Sequence, residues 1–345
     1  MILLRAIASF FYNIGLRFRH FMFDAKIIKR EKYDIPLVCV GNITVGGTGK
    51  TPMIEFLIPR LGERYTVAVL SRGYGRKTKG YIEVVADVPF REVGDEPKQI
   101  KSKFPETIVV VCEDRREGIR RIREEHPEVT LILMDDGFQH KRVEPAVNMV
   151  LVDYTRPIWE DHLLPWGSLR DLRSQMPRAG IVVFTKTPKI LSPIDRRIAE
   201  KNLKLYPYQT LYFTSMDQGA PQPLFRDSPG LKPLKKNIAV LAGIGNPEPM
   251  VASLGEKYAV QEKFIFPDHH IYKVSELRGV EERLAALPGD TVIVTSEKDA
   301  IKLTNRQKVP QALQDRLYVV QARMAFHEGN EKEFIQNIIR DIKQS

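Results

Sequence analysis

The chain has 345 residues, of which 43% are hydrophobic, so it is long enough to bury two cores or one large core with an appendage. Lys and Arg number 53 against 43 Asp and Glu, and the net charge of +10 indicates an anionic partner: a nucleotide, a nucleic acid or a membrane surface. The two cysteines, Cys39 and Cys112, lie in apolar runs, which argues against a disulfide framework and a cysteine-based metal cluster.

Residues 1–30 have the pattern of an amphipathic helix. On a helical wheel one face carries the large apolar side chains, which are Leu3, Ile7, Phe10, Phe11, Ile14, Phe18, Phe21 and Met22. The segment has six Lys or Arg residues against the single acid Asp24, and its longest uncharged run, residues 6–16, is shorter than the roughly 20 residues that cross a bilayer. These features predict a helix that lies on an anionic membrane surface, with docking on the protein's own core as the alternative.

The segment 36–58 contains an apolar run, a glycine-rich turn and a helical apolar face in succession. The turn reads Gly-Gly-Thr-Gly-Lys-Thr, which predicts a phosphate-binding loop between a strand and a helix, although Thr44 stands where the general motif has its first glycine. The predicted nucleotide-binding residues are Gly46, Gly47, Thr48, Gly49, Lys50 and Thr51. In such a loop Lys50 supplies a point charge to the phosphates and the Thr51 hydroxyl can bind Mg²⁺.

Apolar runs at 107–112 and 129–134 predict further strands of a parallel sheet, whose carboxyl ends would meet at the edge where ligands bind. The second of these runs leads directly into Asp135 and Asp136, the position that Mg²⁺-organising acids occupy in P-loop enzymes. Weaker candidates for substrate contacts are Arg72, Tyr74, Glu96, Gln139, His140 and Arg170.

Residues 217–236 are rich in proline and have almost no apolar periodicity, which predicts a linker or hinge. It would join a P-loop core at 31–216 to a smaller α/β domain at 237–345, and the smaller domain would complete the active-site cleft. The predicted fold class is therefore α/β: a P-loop NTPase-like parallel sheet domain, a second, smaller α/β domain, and an N-terminal amphipathic membrane-associated helix.

Several motifs occur in a specific order along the chain. They are Gly-Asn-Ile-Thr-Val-Gly-Gly-Thr-Gly-Lys-Thr-Pro, Ser-Arg-Gly-Tyr-Gly, Gly-Asp-Glu-Pro, Asp-Asp-Gly-Phe-Gln-His, Phe-Pro-Asp-His-His and Glu-Lys-Asp-Ala. Together they resemble the tetraacyldisaccharide 4′-kinases, the lipid A 4′-kinase family. The resemblance covers nearly the whole chain, and Thr44 belongs to that family's own version of the phosphate loop.

The resemblance implies transfer of the ATP γ-phosphate to the 4′-hydroxyl of tetraacyldisaccharide 1-phosphate, a late step of lipid A biosynthesis that gives lipid IVA. It places the protein at the cytoplasmic face of a Gram-negative inner membrane, with the N-terminal helix near the lipid substrate, and implies no nucleic-acid partner and no obligate protein partner.

The resemblance also implies residue roles. Lys50 would contact the β- and γ-phosphates, and Thr51 with Asp135 and Asp136 would surround Mg²⁺. Asp95 and His269 would form the base pair that acts on the sugar hydroxyl, with His269 preferred to His270.

The sequence lacks the signatures of two other classes of protein. A switch GTPase would have an Asn-Lys-x-Asp signature, whereas residues 185–188 read Thr-Lys-Thr-Pro. A nucleic-acid-associated ATPase would have basic and aromatic residues interleaved across its core, whereas here they concentrate in residues 1–30. The alternative interpretation is a soluble P-loop ATPase or GTPase that acts on protein or nucleic-acid partners.

Overall fold

The structure, a computed structural model, describes residues 2–344. The chain forms two compact units. The first unit comprises the residues up to 88, residues 100–216 and the residues from 324 onward. The second unit comprises residues 89–99 and 217–323.

The strands are β1 (Leu37–Gly41), β2 (Val67–Ser71), β3 (Ile82–Glu83), β4 (Ile108–Val111), β5 (Leu131–Asp135), β6 (Val147–Asp153), β7 (Ile181–Thr185), β8 (Thr210–Gln218), β9 (Gln222–Pro223), β10 (Asn237–Ala242), β11 (Ala259–Ile265), β12 (Val292–Ser296), β13 (Leu317–Val320) and β14 (Ala322–Phe326). The helices are α1 (Ile2–Asp24), α2 (Lys50–Gly62), α3 (Phe90–Val93), α4 (Asp95–Lys103), α5 (Arg115–Glu125), α6 (Pro193–Leu203), α7 (Glu248–Gly255), α8 (Val274–Ala285), α9 (Glu297–Ala300), α10 (Gln311–Gln314) and α11 (Glu331–Gln344).

The first unit is built on a nine-stranded sheet in the order β14-β8-β7-β6-β1-β5-β2-β4-β3. Its central strands are parallel, and β1 lies between β5 and β6. Every residue of β1, β2, β5 and β7 is buried, which explains why these strands are continuous apolar runs: helices cover both faces of a parallel sheet. The register pairs Val40 with Asp135, so the loop after β1 and the acids at the carboxyl end of β5 lie side by side at the sheet edge.

The second unit has a five-stranded sheet in the order β11-β10-β12-β13-β9. Strands β10 to β13 are parallel to their neighbours, and the short β9 pairs antiparallel with β13. One hydrophobic cluster contains Leu241 and Leu277 of α8, and a second contains Val240 and Leu254 of α7. The predicted α/β class is confirmed: a large, mostly parallel sheet, a second smaller α/β unit and an N-terminal helix are all present.

The boundaries of the two units differ from the division drawn from the sequence. Helix α11 belongs to the first unit, because its apolar face packs there: the ring centroid of Phe334 lies 6.1 Å from that of Phe56 in α2. Within residues 217–236, predicted as a linker, β9 pairs with β13 and Phe225 is buried. Residues 89–99 belong to the second unit although they come early in the chain.

Helix α1 docks on the first unit through its less apolar face. Ser9 and His20 are buried, Ser9 Oγ donates to the carbonyl of Leu163 at 3.0 Å, and Tyr12 donates to the carbonyl of Arg170 at 2.9 Å. The large apolar side chains point away from this contact and are exposed: Leu3, Leu4, Ile7, Phe10, Phe11, Ile14, Phe18 and Phe21. Within residues 2–344, no helix is both long enough and apolar enough to cross a membrane.

Candidate active site

The glycine-rich loop after β1 has the backbone of a phosphate cradle. Gly46 and Gly49 have φ angles of 93° and 86°, a region that glycine adopts without steric cost. Gly49 caps the N-terminus of α2, so the free N–H groups of the first helical turn and the positive end of the helix dipole face the loop. A Cβ at Gly46 would lie 3.2 Å from the Arg156 guanidinium, which leaves little room for a side chain there.

Side chains from neighbouring strands hold this loop in place. The buried Asn42 amide donates to Thr48 Oγ1 at 2.6 Å, and Thr185 Oγ1 donates to the Thr48 carbonyl at 2.9 Å. Lys186 donates to the carbonyl of Gly47 and, at 2.7 Å, to Asp153 Oδ2. The Thr48 hydroxyl and carbonyl are therefore engaged within the protein, while backbone N–H groups remain the loop's means of binding an anion.

The two acids at the carboxyl end of β5 lie beside this loop. Asp135 is fully buried and accepts a hydrogen bond from Ser71 Oγ at 3.0 Å. Asp136 has φ 53°, an uncommon conformation for a residue with a side chain, and its carboxylate lies 3.7 Å from Lys50 Nζ. Arg170 Nη1 donates to Asp136 Oδ2 at 2.9 Å.

Electrostatics keep Asp136 ionised. Burial raises the pKa of its carboxyl, but the hydrogen bond from Arg170 and the charge of Lys50 outweigh burial and hold the pKa well below the usual range for Asp. A threonine hydroxyl and two carboxylates beside a phosphate loop suit Mg²⁺, which proteins usually bind through one or two carboxylates together with substrate phosphates. The buried Thr51 and Asp135, with the half-buried Asp136, therefore fit such an ion.

The weaker substrate candidates have different environments. Gln139 Nε2 donates to the Asn42 carbonyl at 2.7 Å, so it supports the phosphate loop. Burial, with the charges of Arg115 and Arg72, lowers the pKa of His140 to about 4, so this imidazole is neutral at neutral pH. Arg72 and Tyr74 are exposed in the loop after β2.

In the second unit, Asp95 and His269 meet although 174 positions separate them. His269 Nδ1 lies 2.9 Å from Asp95 Oδ2, and Asp95 is buried at the start of α4 while His269 is partly exposed. His269 has φ 58°, a strained conformation that positions its ring on Asp95. Its neighbour His270 instead contacts Glu276 Oε2 at 2.9 Å and stacks on Phe266.

The pKa shifts of this pair reinforce each other. Burial raises the pKa of Asp95, but the hydrogen bond with His269 and the charge of Lys298 lower it below the usual value. The hydrogen bond with Asp95 raises the pKa of His269, although burial and Lys298 oppose that rise. Glu96, the next residue of α4, is partly buried, and its backbone N–H donates to Asp95 Oδ1 at 3.0 Å.

Asn42, Lys186 and Lys298 are among the residues of these two clusters that had no predicted role. Lys298 Nζ lies 3.1 Å from His269 Nε2 and 3.9 Å from Asp95 Oδ2. It belongs to the Glu-Lys-Asp-Ala motif directly after β12, and Lys186 directly follows β7. Both follow the carboxyl end of a parallel strand, where ligands bind in such sheets, and this position could have identified them as candidate site residues.

Comparison with known proteins identifies the family. The family model described as tetraacyldisaccharide-1-P 4′-kinase matches residues 1–342. The chain is 40% identical over 344 residues to the tetraacyldisaccharide 4′-kinase of Phocaeicola vulgatus, covering 98% of this chain and 94% of that protein. It is 39% identical over 340 residues to the enzyme of the same name from Porphyromonas gingivalis strain W83, covering 96% and 94%. The chain belongs to the tetraacyldisaccharide-1-P 4′-kinase family.

A solved structure shares the fold of this family member. A crystal structure described as the "apo" form of LpxK from Aquifex aeolicus in complex with ATP matches with a TM-score of 0.74 and 24% identity, over 98% of each chain. Family membership confirms the resemblance drawn from the motifs, and with it the class of enzyme, a kinase whose acceptor is an alcohol group. It favours that function over a soluble ATPase or GTPase that acts on protein or nucleic acid.

Proposed function

We propose that the protein transfers the γ-phosphate of ATP to the 4′-hydroxyl of tetraacyldisaccharide 1-phosphate, giving lipid IVA for lipid A. One observation carries the chemistry: in a chain of this family, Lys50 and Asp136 lie 3.7 Å apart at the carboxyl edge of a parallel sheet, beside a glycine loop that opens a helix. That arrangement suits a nucleotide's phosphates, because it combines backbone N–H donors with a cation and carboxylates.

The phosphate loop is assigned to ATP. The N–H groups of residues 46–49 bind phosphate oxygens, and Lys50 neutralises charge that develops on the transferred group. Thr51, Asp135 and Asp136 are the residues that would hold Mg²⁺, which when bound neutralises charge on the phosphates. Arg170 holds the Asp136 carboxylate in place and keeps it ionised.

The Asp95–His269 pair, which belongs to the other unit, is assigned to the sugar hydroxyl. A buried carboxylate that is hydrogen-bonded to an imidazole can orient an alcohol and accept its proton. The exposed Arg72 and Tyr74, with Glu96, Gln139 and His140, remain candidates for contacts with the substrate.

Membrane association through α1 is the third part of the proposal. The helix docks by one face and leaves its aromatic and aliphatic face exposed, with Phe11 66% and Phe18 65% accessible. A cavity of about 540 Å³ between α1 and residues 161–174 combines apolar walls, such as Phe10 and Trp166, with the basic Arg17 and Arg173. These groups match the acyl chains and phosphates of a lipid. We propose in addition that the protein acts at the cytoplasmic face of the inner membrane, bound to it through α1.

The test is transfer of ³²P from [γ-³²P]ATP to tetraacyldisaccharide 1-phosphate in mixed micelles. We expect labelled lipid that depends on Mg²⁺, and no label on a protein hydroxyl acceptor. Label on the protein acceptor but not on the lipid would refute the proposed substrate.

A further inference from the structure

His20 is a buried histidine of α1, and the core of the first unit contacts both of its ring nitrogens. Its Nε2 lies 2.7 Å from Asp171 Oδ1, and its Nδ1 lies 3.0 Å from Lys141 Nζ. The three side chains are between 1% and 5% accessible. An ammonium group can only donate, so Nδ1 accepts from Lys141 and the N–H at Nε2 donates to the Asp171 carboxylate. None of the three side chains has a role in the proposed chemistry, so their burial needs another explanation.

The two partners of His20 belong to the two loops that form the candidate Mg²⁺ site. Lys141 ends the loop that begins with Asp136, and Asp171 directly follows Arg170. Arg170 Nη1 in turn donates to Asp136 Oδ2 at 2.9 Å, so this ion pair joins the same two loops. The loops are therefore connected twice: by His20 on the side of α1, and by the Asp136–Arg170 pair on the side of the phosphate loop.

Helix α1 contacts each of these loops at a second point. Tyr12 donates to the carbonyl of Arg170 at 2.9 Å, and Arg19 Nη2 donates to the carbonyl of Gln139 at 2.6 Å. Arg19 is exposed, so solvent weakens its contact, whereas the contacts of His20 are buried. The buried face of α1 thus holds both loops, and His20 is the residue that joins one loop to the other.

The charges around His20 make this connection costly to remove. Burial lowers the pKa of Lys141, and Asp24 of α1, whose Oδ1 lies 3.5 Å from Lys141 Nζ, opposes that lowering. Lys141 also donates to Gln175 Oε1 at 3.2 Å. Without the imidazole, a buried ammonium and the buried Asp171 carboxylate would each lose a partner, and the two loops would have to rearrange to compensate.

We propose that His20 is a positioning residue of the phosphate site: by bridging Lys141 and Asp171, it holds the two loops at the separation that the Asp136–Arg170 pair requires. This inference rests on the proposed function in that Asp136 is assigned to the Mg²⁺ of MgATP. His20 acts through Arg170 and touches neither the nucleotide nor the metal ion. Helix α1 then serves the enzyme with two faces: the exposed apolar face meets lipid, and the buried polar face orders the nucleotide site.

The first experiment measures ATP binding to the full-length protein by titration calorimetry over a series of Mg²⁺ concentrations. We expect His20→Leu, which removes both ring nitrogens, to raise the Mg²⁺ concentration for half-maximal ATP binding by about 10-fold, the lower end of the effect of removing an outer partner of a metal ligand. His20→Gln keeps an N–H donor near the position of Nε2 and should recover most of this loss. His126→Leu removes another carboxylate-paired histidine of the same unit, the partner of Glu83, and should match the parent.

The second experiment follows the two loops by amide hydrogen exchange. In His20→Leu, peptides from residues 136–141 and 168–172 should exchange faster than in the parent, while peptides from β10 and β12 of the second unit should not change. Cosedimentation with anionic vesicles should stay at the parent level, because the apolar face of α1 is intact. If His20→Leu does not fold, His20→Asn takes its place, since it keeps an acceptor near Nδ1 and has no donor near Nε2.

A double variant tests whether His20 acts through Arg170. His20→Leu combined with Arg170→Ala should bind MgATP no more weakly than Arg170→Ala alone. Losses of binding free energy that add would overturn the inference, as would a His20→Leu protein with a lower melting temperature but the parent's dependence on Mg²⁺.

These outcomes are distinct from failure of the proposed function. Transfer to the lipid by the parent, with a Mg²⁺ dependence unchanged in His20→Leu, overturns the positioning role and leaves the function standing. Absence of transfer to the lipid by the parent, with a Mg²⁺ dependence that shifts in His20→Leu and recovers in His20→Gln, refutes the function and supports the positioning role.

Discussion

Lys50 is the residue on which the phosphoryl chemistry depends most directly. We expect Lys50→Ala to abolish phosphate transfer while the protein stays folded, because Asp136 keeps its ion pair with Arg170 and is not left unpaired. The measurements are ³²P transfer and the melting temperature. Lys201→Ala, which removes an exposed lysine on α6, should match the parent in both. Near-parent turnover by Lys50→Ala would contradict the assignment of the loop.

Asp95 and His269 should behave as one unit in kinetics. Removing either should lower kcat by about 10² to 10⁴, with little change in ATP affinity, because each is needed for the same proton transfer. The variants are Asp95→Ala, His269→Ala and the double variant, compared by kcat, ATP Kd and melting temperature. The double variant should lose little more than either single variant. Losses that multiply would mean that the two residues act separately.

The same pair should make stability depend on pH. The pKa of Asp95 is lowered on folding, so its contribution is present above the unfolded pKa of about 3.9 and is lost as the pH falls through the folded value. The pKa of His269 is raised, so its contribution is present below about pH 6.5 and is lost as the pH rises through the folded value.

We therefore expect Asp95→Asn to lower the free energy of unfolding more at about pH 5.5 than at about pH 8, as measured with urea. Asp227→Asn, an exposed acid of the same unit paired with Arg306, should show no such difference between the two pH values. An equal loss from Asp95→Asn at both pH values would show that His269 does not titrate against Asp95.

Among the elements, the buried parallel strands were predictable from sequence and the short edge strands were not. The predicted run 129–134 overlaps β5, because a strand covered on both faces is a continuous apolar run. Strands β3 and β9 have two residues each, so they carry no periodicity, and each exists only through pairing with a neighbour.

The candidate site likewise has one part that the sequence predicts and one part that it does not. Lys50, Asp135 and Asp136 could be placed at one sheet edge, because their residue types and their order after strands are typical of phosphate sites. Long-range side-chain contacts leave no such local pattern: Asn42 holds Thr48, and Lys298 approaches His269 from a helix 29 positions away. Residues 331–344 fall within the predicted smaller domain at 237–345 but form α11 of the first unit, because an amphipathic pattern does not say which core a helix covers.

The exposed apolar face of helix α1 should contact lipid directly. We expect the double substitution Phe11→Asp and Phe18→Asp to reduce cosedimentation with anionic vesicles without unfolding the protein, because both side chains are exposed and make no part of the docked face. Ile190→Asp with Ile198→Asp makes the same change at two exposed positions in and before α6, and should leave binding unchanged. Equal cosedimentation of both double variants would place the membrane contact elsewhere.

Two features of the protein, its net charge and the apolar face of α1, could attract an anionic partner by different physical means. The net charge of +10 attracts vesicles and nucleic acid alike, and salt weakens that attraction. The exposed apolar face of α1 can be buried in a lipid interface but has no counterpart on a DNA duplex, and salt does not weaken apolar burial. Salt therefore distinguishes a membrane partner from a nucleic acid.

We expect the full-length protein to remain on vesicles of anionic phospholipid when the salt concentration is raised from about 50 to about 200 mM, a range over which charge-driven DNA binding falls steeply. Cosedimentation with vesicles and retention on duplex DNA are measured in the same buffers.

Deletion of residues 1–24 should make vesicle binding as sensitive to salt as DNA binding, because only the charge of the remaining chain is left. It should also impair turnover of the lipid substrate far more than background ATP hydrolysis. Salt-resistant retention on DNA, or undiminished vesicle binding after the deletion, would contradict the role given to α1.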